Sequence, residues 1–440
     1  MKRAALLLGT VGLVATAALA GQAARAPARQ ARAAVPLPAT QALFDGYVRD
    51  GKMPGIVAAF GLPGRPATVV AAGRIGDEPG APRADADSLW RIYSMTKPVT
   101  AMAAMMLVEE GKLRLDQPIA EIIPSFRNMR VLTDPERSLQ SRPAARPITV
   151  RHLLTHTAGL GYNIVTTGPL KTEYERRGIL PGSVNLAVDA QADRVRPRSL
   201  AEFADRVAAL PLIADPGTKW SYSIGLDVMG AVVERASGQP FDRFLQTRIF
   251  GPLRMTSTYF AVPAADARRL ATNYAFVGDR RVPLDPAAAS VFLRPPAFPY
   301  GGAGLVSSAR DYDRFLQMLQ NGGELDGARV MRPETVRLAM SDLLPPGVQF
   351  RGIGGGTGGT QGNGAPLGYG AGGSVYLEGR PGGPGKGTYG WGGAAGTIAY
   401  VDPENRVRGV IMVNYFPAER WPLRQEIPPA LLRDLGAMRR

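Results

Sequence analysis

The chain has 440 residues, 45% hydrophobic and 20% charged, which excludes wholesale disorder and allows one large domain or two lobes around a real core. Lys and Arg (52) outnumber Asp and Glu (37), for a formal charge of +15, but the basic residues are scattered without a Lys/Arg run or an interleaved aromatic stripe, so no nucleic-acid surface is expected. The absence of Cys excludes disulfides, a lipid-anchoring cysteine and thiol chemistry.

The chain opens on Met1-Lys2-Arg3, followed by an apolar run over residues 4–17 and then the small-x-small pattern Ala18-Leu19-Ala20. This pattern predicts a secretory signal peptide over 1–20, cleaved after Ala20, with an uncleaved anchor as the alternative. Residues 21–38 read as an Ala/Arg/Pro-rich linker. The mature protein is expected to be periplasmic or secreted, with no stable membrane insertion once the signal is removed.

One domain is expected over 39–425, with 426–440 as its C-terminal helix. Residues 39–51 read as an amphipathic helix, with Leu43, Phe44 and Tyr47 on one face and Gly51 as the stop. Residues 55–60 and 67–72 read as strands of a hairpin around Leu62-Pro63-Gly64. Leu89–Tyr93 leads into a long helix expected to begin near Ser94 and end at Gly111. From about 118 to 290 the chain reads as mainly helical, with a weakly periodic excursion over 161–198. A helix is expected over 311–321, a flexible glycine-rich loop over 354–364, strands over 372–378, 397–401 and 408–415, and a last helix over 428–438. Strands at both ends with helices between them predict one sheet built from both termini and a helical lobe inserted in the middle.

Four groups of residues could carry chemistry. Ser94-Met95-Thr96-Lys97 puts a hydroxyl and an amine on one helical face, near the positive end of the helix dipole, and Pro98 suits the first turn. A lysine in a buried, positive setting can take the serine proton, and no other Ser in this chain has Lys three residues later. By itself the tetrad fits an N-capping serine beside a solvated lysine better. Tyr222, in Pro216-Gly217-Thr218-Lys219-Trp220-Ser221-Tyr222, could act as a general base if cationic neighbours hold it ionised; alone it reads as a core tyrosine after a turn. In Trp391-Gly392-Gly393-Ala394 the glycines allow close approach to the backbone, and the Ala394 N–H could join the Ser94 N–H in binding an oxyanion; a glycine-rich turn is the alternative. His152 and His156 lie four apart, but no Glu follows the first and no third His exists. No metal site is therefore expected, and both read as structural. The same shortage, with no G-x-S-x-G elbow, argues against a Ser-His-Asp triad.

Taken in order, six segments resemble the serine β-lactamase and penicillin-binding family, especially class C β-lactamases and the family VIII carboxylesterases of the same fold. They are Tyr93-Ser94-Met95-Thr96-Lys97-Pro98, residues 148–160 around Leu153-Leu154-Thr155-His156-Thr157, Pro216-Gly217 through Tyr222-Ser223, Gly301-Gly302-Ala303-Gly304 through Ser308, Trp391-Gly392-Gly393, and Val401-Asp402-Pro403. The resemblance implies an α/β sandwich, an antiparallel sheet flanked by the terminal helices with an all-helical lobe over about 118–290. It also implies Ser94 as nucleophile with Lys97 and Tyr222 as its base, and no cofactor. Two departures bear on substrate. The family's Tyr-x-Asn has Ile224 in its third position, and its Lys-Thr-Gly is replaced by Trp391-Gly392-Gly393. The pocket thereby loses a cation and gains an aromatic wall, which favours small-molecule esters over β-lactams or D-alanyl peptides. Carboxylesterase is the expectation; β-lactamase or D-alanyl-D-alanine carboxypeptidase, and more remotely a non-catalytic binding module, are the alternatives.

Overall fold

The computed structural model describes residues 34–353 and 366–437; the expected signal peptide, most of the linker and the 354–364 loop lie outside them. The central feature is a seven-stranded antiparallel sheet. The strands run, from one edge to the other, Leu367–Tyr369, Ser374–Tyr376, Tyr389–Gly392, Ile398–Asp402, Val407–Met412, Gly55–Gly61 and Thr68–Gly73. The N-terminal hairpin is thus hydrogen-bonded to the last long strand, Val57 opposite Met412 and Phe60 opposite Gly409, so both ends of the chain build one sheet.

The two-residue period of a strand distributes the side chains of Gly55–Gly61 between two cores. Ile56, Ala58 and Phe60 enter a core shared with Phe44 and Tyr47 of helix Pro38–Arg49 and with Ile427 and Leu431 of helix Leu423–Ala437. Val57 and Ala59 point the other way, into the large core with helices Thr96–Glu109 and Ala309–Gln320. Helix Thr96–Glu109 is buried at every position from Thr96 to Leu107, as expected of a helix apolar on all sides. Among the described residues no helix is long and apolar enough to cross a membrane.

The inserted region departs from the all-helical expectation for 118–290. It holds short helices, including Gly168–Arg176 and Leu186–Ala192 within the 161–198 excursion, but also a ribbon pairing Arg130–Leu132 with Ser141–Pro143. A hairpin of Asn273–Val277 with Arg280–Asp285 pairs in parallel with Tyr415–Phe416, so the chain has returned to the sheet side before residue 290. Arg- and Pro-rich sequence hid these strands, because their alternation is short and half exposed. Residues 389–392, expected as a turn or its approach, form a full strand of the central sheet; three glycines within five residues hid it.

Candidate active site

Ser94 is presented by a distorted backbone. Strand Leu89–Arg91 pairs with Val306–Ser308 and ends at Arg91; two residues on, Tyr93 has a φ of 40°, in the left-handed region that costs a non-glycine residue about 1 kcal/mol or more. Tertiary packing holds it there. The Tyr93 ring sits edge-on to Phe292 (6.1 Å) and Phe416 (5.6 Å), and its hydroxyl accepts from Asn273 Nδ2 at 3.1 Å. Residues Tyr93–Met95 then form a single 3₁₀ turn, and the α-helix begins at Thr96 rather than at Ser94. Ser94 lies in that turn and Lys97 in the first turn of the helix, and residues three apart along such a backbone share a face.

The Lys97 amine donates to Ser94 Oγ at 3.1 Å and to the Gly302 carbonyl at 2.7 Å. From the far side Tyr222 OH donates to Ser94 Oγ at 2.6 Å, and the Lys97 Nζ stands 4.7 Å from the Tyr222 ring centre. A serine, a lysine and a tyrosine separated by as many as 128 positions in the chain therefore meet at one oxygen. Lys97 and Tyr222 are buried and Ser94 is 8% exposed, so water is largely excluded from the group.

The loop through Gly301-Gly302 docks on the helix beside Lys97. Thr100 Oγ1 donates to the Gly301 carbonyl at 2.7 Å and the Leu305 N–H to Thr96 Oγ1 at 3.1 Å. The Gly302 N–H donates to Asp227 Oδ1 at 2.8 Å, and a Cβ at Gly302 would run into that carboxylate, which is why glycine is required there. Asp227 comes from helix Gly225–Ser237 and is fully buried. Its Oδ2 has no partner among the described residues. Burial pushes its carboxyl up to about 6, opposed by Lys97 and the Gly302 N–H; Tyr162 and Tyr300 also feel its charge.

That shift sets a stability test. The folded state holds the Asp227 proton to higher pH than the unfolded chain, so its contribution is fully present below the ordinary carboxyl range and is lost as pH rises through about 6. Relative to Asp227→Asn, the wild type is expected to lose on the order of 3 kcal/mol between about pH 4 and pH 6. Thermal melts of both proteins across that window check it; a difference that stays flat with pH rules the idea out.

Tyr222 is oriented by His156. The His156 carbonyl accepts the Ser221 N–H at 3.0 Å, and its Nδ1 accepts the Ser223 N–H at 3.2 Å and pairs with Ser223 Oγ at 2.9 Å. Its ring packs 4.9 Å from Tyr222, and burial, with Lys97 nearby, holds it well below its usual pKa, hence neutral. His152 Nδ1 instead accepts the Thr149 N–H in a capping box. Among the described residues no group of three or more His, Asp or Glu is placed to hold a metal ion.

The Trp391 strand forms the remaining wall. Its indole lies 5.8 Å from Tyr222, 5.2 Å from Tyr369 and 6.1 Å from Phe350, and Trp220 packs 4.6 Å from Phe350. The turn after the strand is closed by Gly393 N–H to the Thr397 carbonyl at 2.9 Å. A Cβ at Gly393 would strike the Ile92 carbonyl and the Thr397 hydroxyl, so this turn abuts the segment leading into Ser94. Ala394, next along it, is exposed, while Gly392 and Gly393 are buried. Ile224, expected to contact substrate, is fully buried in the large core and caps helix Gly225–Ser237. Its side chain has no free surface to offer a ligand, because the residue after Ser223 turns inward to start that helix. Sequence reasoning missed Gly302, Asp227, Phe350 and Tyr369; the Gly301-Gly302 pair was the one available signal.

The β-lactamase family model matches residues 40–426 of this chain. Esterase EstB of Burkholderia gladioli is 35% identical over 334 residues, covering 72% of this chain and 77% of its own. Lovastatin esterase of Penicillium rubens is 31% identical over 339 residues, covering 74% and 79%. The solved structure of EstCE1, a hydrolase with promiscuous acyltransferase activity, superposes with a TM-score of 0.72 at 25% identity over 90% of this chain and 97% of its own. With that match across most of its length, the chain belongs to the β-lactamase family and is a serine hydrolase on its α/β fold.

Proposed function

We propose that the protein is an exported carboxylesterase that works through an acyl-enzyme on Ser94. The observation that carries this reading is the Ser94 oxygen standing within hydrogen-bond reach of both Lys97 Nζ and Tyr222 OH. Ser94 Oγ attacks the ester carbonyl while its proton passes to the Tyr222–Lys97 pair. The tetrahedral oxyanion is held by the Ser94 and Ala394 N–H groups, each contributing roughly 3 kcal/mol. The C–O bond to the alcohol then breaks, the alcohol leaves with the proton, and water attacks the acyl carbonyl by the reverse relay to release the acid and restore Ser94. Asp227 and Gly302 act through Lys97 as positioning groups, and His156 acts through Tyr222. No metal or organic cofactor enters the scheme. Likeness to esterase EstB and lovastatin esterase supports an ester substrate. Likeness to EstCE1, with its promiscuous acyltransferase activity, supports partition of the acyl group between water and an alcohol.

The β-lactamase and D-alanyl carboxypeptidase reading shares the nucleophile. Against it stands the aromatic surround of Trp391, Tyr369 and Phe350, which offers no cation to a β-lactam carboxylate. Short-chain p-nitrophenyl esters are expected to turn over with kcat/KM at least about 100-fold above nitrocefin, a discrimination of the size that unpaired polar groups in a pocket impose. Equal or faster nitrocefin cleavage overturns the substrate reading and leaves the nucleophile standing. Export rests on the signal-like segment 1–20 ahead of a domain starting near 39; N-terminal sequencing of the protein recovered from the native periplasm or medium should begin at Gly21.

A further inference from the structure

On the side of the sheet away from Ser94 lies a cavity of about 130 Å³, between the strands around Trp391 and helix Leu423–Ala437. That volume is near the size at which an apolar protein cavity takes up a benzene-sized molecule. Its lining is largely apolar, with Ile398, Ile411, Ile427 and Leu431 forming an aliphatic wall and Arg380 and Asp402 among its polar residues. At its edge is Arg424, partly buried. The guanidinium occupies the space a side chain at position 392 would fill, since a Cβ on Gly392 would overlap it.

Arg424 makes no hydrogen bond or ion pair among the described residues. This sets it apart from the buried arginines Arg91 and Arg408, each bound to a carboxylate. A guanidinium carries five donors and keeps its charge at any physiological pH, so leaving it in a half-desolvated pocket without an acceptor is unfavourable. Burial accordingly lowers its pKa, and only Glu419 and the phenols of Tyr415 and Tyr376 oppose this from a distance. Position and lining together define what would fit: an anionic head for Arg424 and a short hydrocarbon tail for the aliphatic wall.

We propose that this cavity is a binding site for a short aliphatic carboxylate, with the carboxylate paired bidentately to Arg424 and the alkyl chain lying between Ile398, Ile411, Ile427 and Leu431. The site is separate from the Ser94 centre and does not depend on the reaction assigned to it.

The test is calorimetric titration of the full-length protein with sodium hexanoate, hexan-1-ol and hexylamine hydrochloride. Hexanoate should saturate one site with a Kd on the order of 1 mM or tighter, and the alcohol and the amine should bind at least roughly tenfold more weakly, as expected for loss of a charged hydrogen bond. Hydrogen exchange with and without hexanoate should show protection of the amides of residues 423–431, which places the ligand without any variant. Arg424→Gln should weaken hexanoate at least roughly tenfold. Equal binding of the three ligands, no saturation by hexanoate, protection confined to other segments, or unchanged affinity in a folded Arg424→Gln variant each overturns the proposal.

Discussion

Replacing Ser94 by Ala is expected to lower kcat for a p-nitrophenyl ester by a factor on the order of 10⁴ or more, because removing a nucleophile that works as one unit with its base abolishes nearly all that the unit contributes. The three side chains meet at one oxygen, with the amine at 3.1 Å and the phenol at 2.6 Å, so Lys97→Met and Tyr222→Phe should fall to a similar level and the double variants little further. A fluorophosphonate probe should label the wild type at Ser94 and leave Ser94→Ala unlabelled. Thermal melts separate this result from misfolding, since the Ser94 hydroxyl is small and sits on an already formed turn. Ester turnover by Ser94→Ala within tenfold of wild type, under conditions where the protein is folded, would end the assignment.

The largest stability effect is expected at Asp285. Arg91 Nε and one terminal nitrogen bind Asp285 Oδ2 at 2.8 and 2.5 Å, and Ser290 Oγ donates to the same oxygen at 2.7 Å. The guanidinium also reaches the Ala271 carbonyl and the Ser290 hydroxyl, while the Asn414 amide oxygen accepts the Arg91 N–H at 3.1 Å. The two ion-pair side chains are 0% and 1% exposed. This network joins the strand leading to Ser94, the Asn273–Asp285 hairpin and the end of the central sheet. Asp285→Ala leaves a fully buried, uncompensated guanidinium and is expected to destabilise the protein by about 3–5 kcal/mol. The contrasting pair Arg337–Glu334, 73% and 72% exposed, contributes within about 0.5 kcal/mol, so Glu334→Ala serves as the control. Denaturant midpoints of the two variants measure the difference. If Asp285→Ala unfolds no earlier than Glu334→Ala, the ion pair does not hold this part of the fold together.

Local sequence carried much of this molecule. The hairpin of residues 55–73 was legible because its alternation and its turn both act over a few residues, and helix Ala309–Gln320 because Tyr312, Phe315, Leu316 and Leu319 repeat at helical spacing. The spacing of Ser94 and Lys97 put both on one face, but alone it fitted an N-capping serine beside a solvated lysine, and only the six ordered segments of the resemblance turned that reading. The terminal strands pointed to a single sheet, since neither end of the chain could bury its own strands alone.

What sequence could not carry was everything held by contact across distance. That Ser94 lies on a 3₁₀ turn behind a left-handed Tyr93 depends on Phe292, Phe416 and Asn273, none of them local. The strand at 389–392 is a strand because Ser374–Tyr376 and Ile398–Asp402 hydrogen-bond to it on either side, which overrides the low strand preference of its glycines. Ile224 looked like a substrate contact because it stands where the family has a polar residue, and its burial is decided by the helix that starts beneath it. Asp227 reads in sequence as an ordinary helix acid; only the fold brings Gly302 to one of its oxygens and leaves the other unpaired near Lys97. Side-chain spacing along one helix is set by covalent geometry and needs no partner, whereas burial, charge and the meeting of Tyr222 with Ser94 exist only once the sheet and the inserted region have closed on each other.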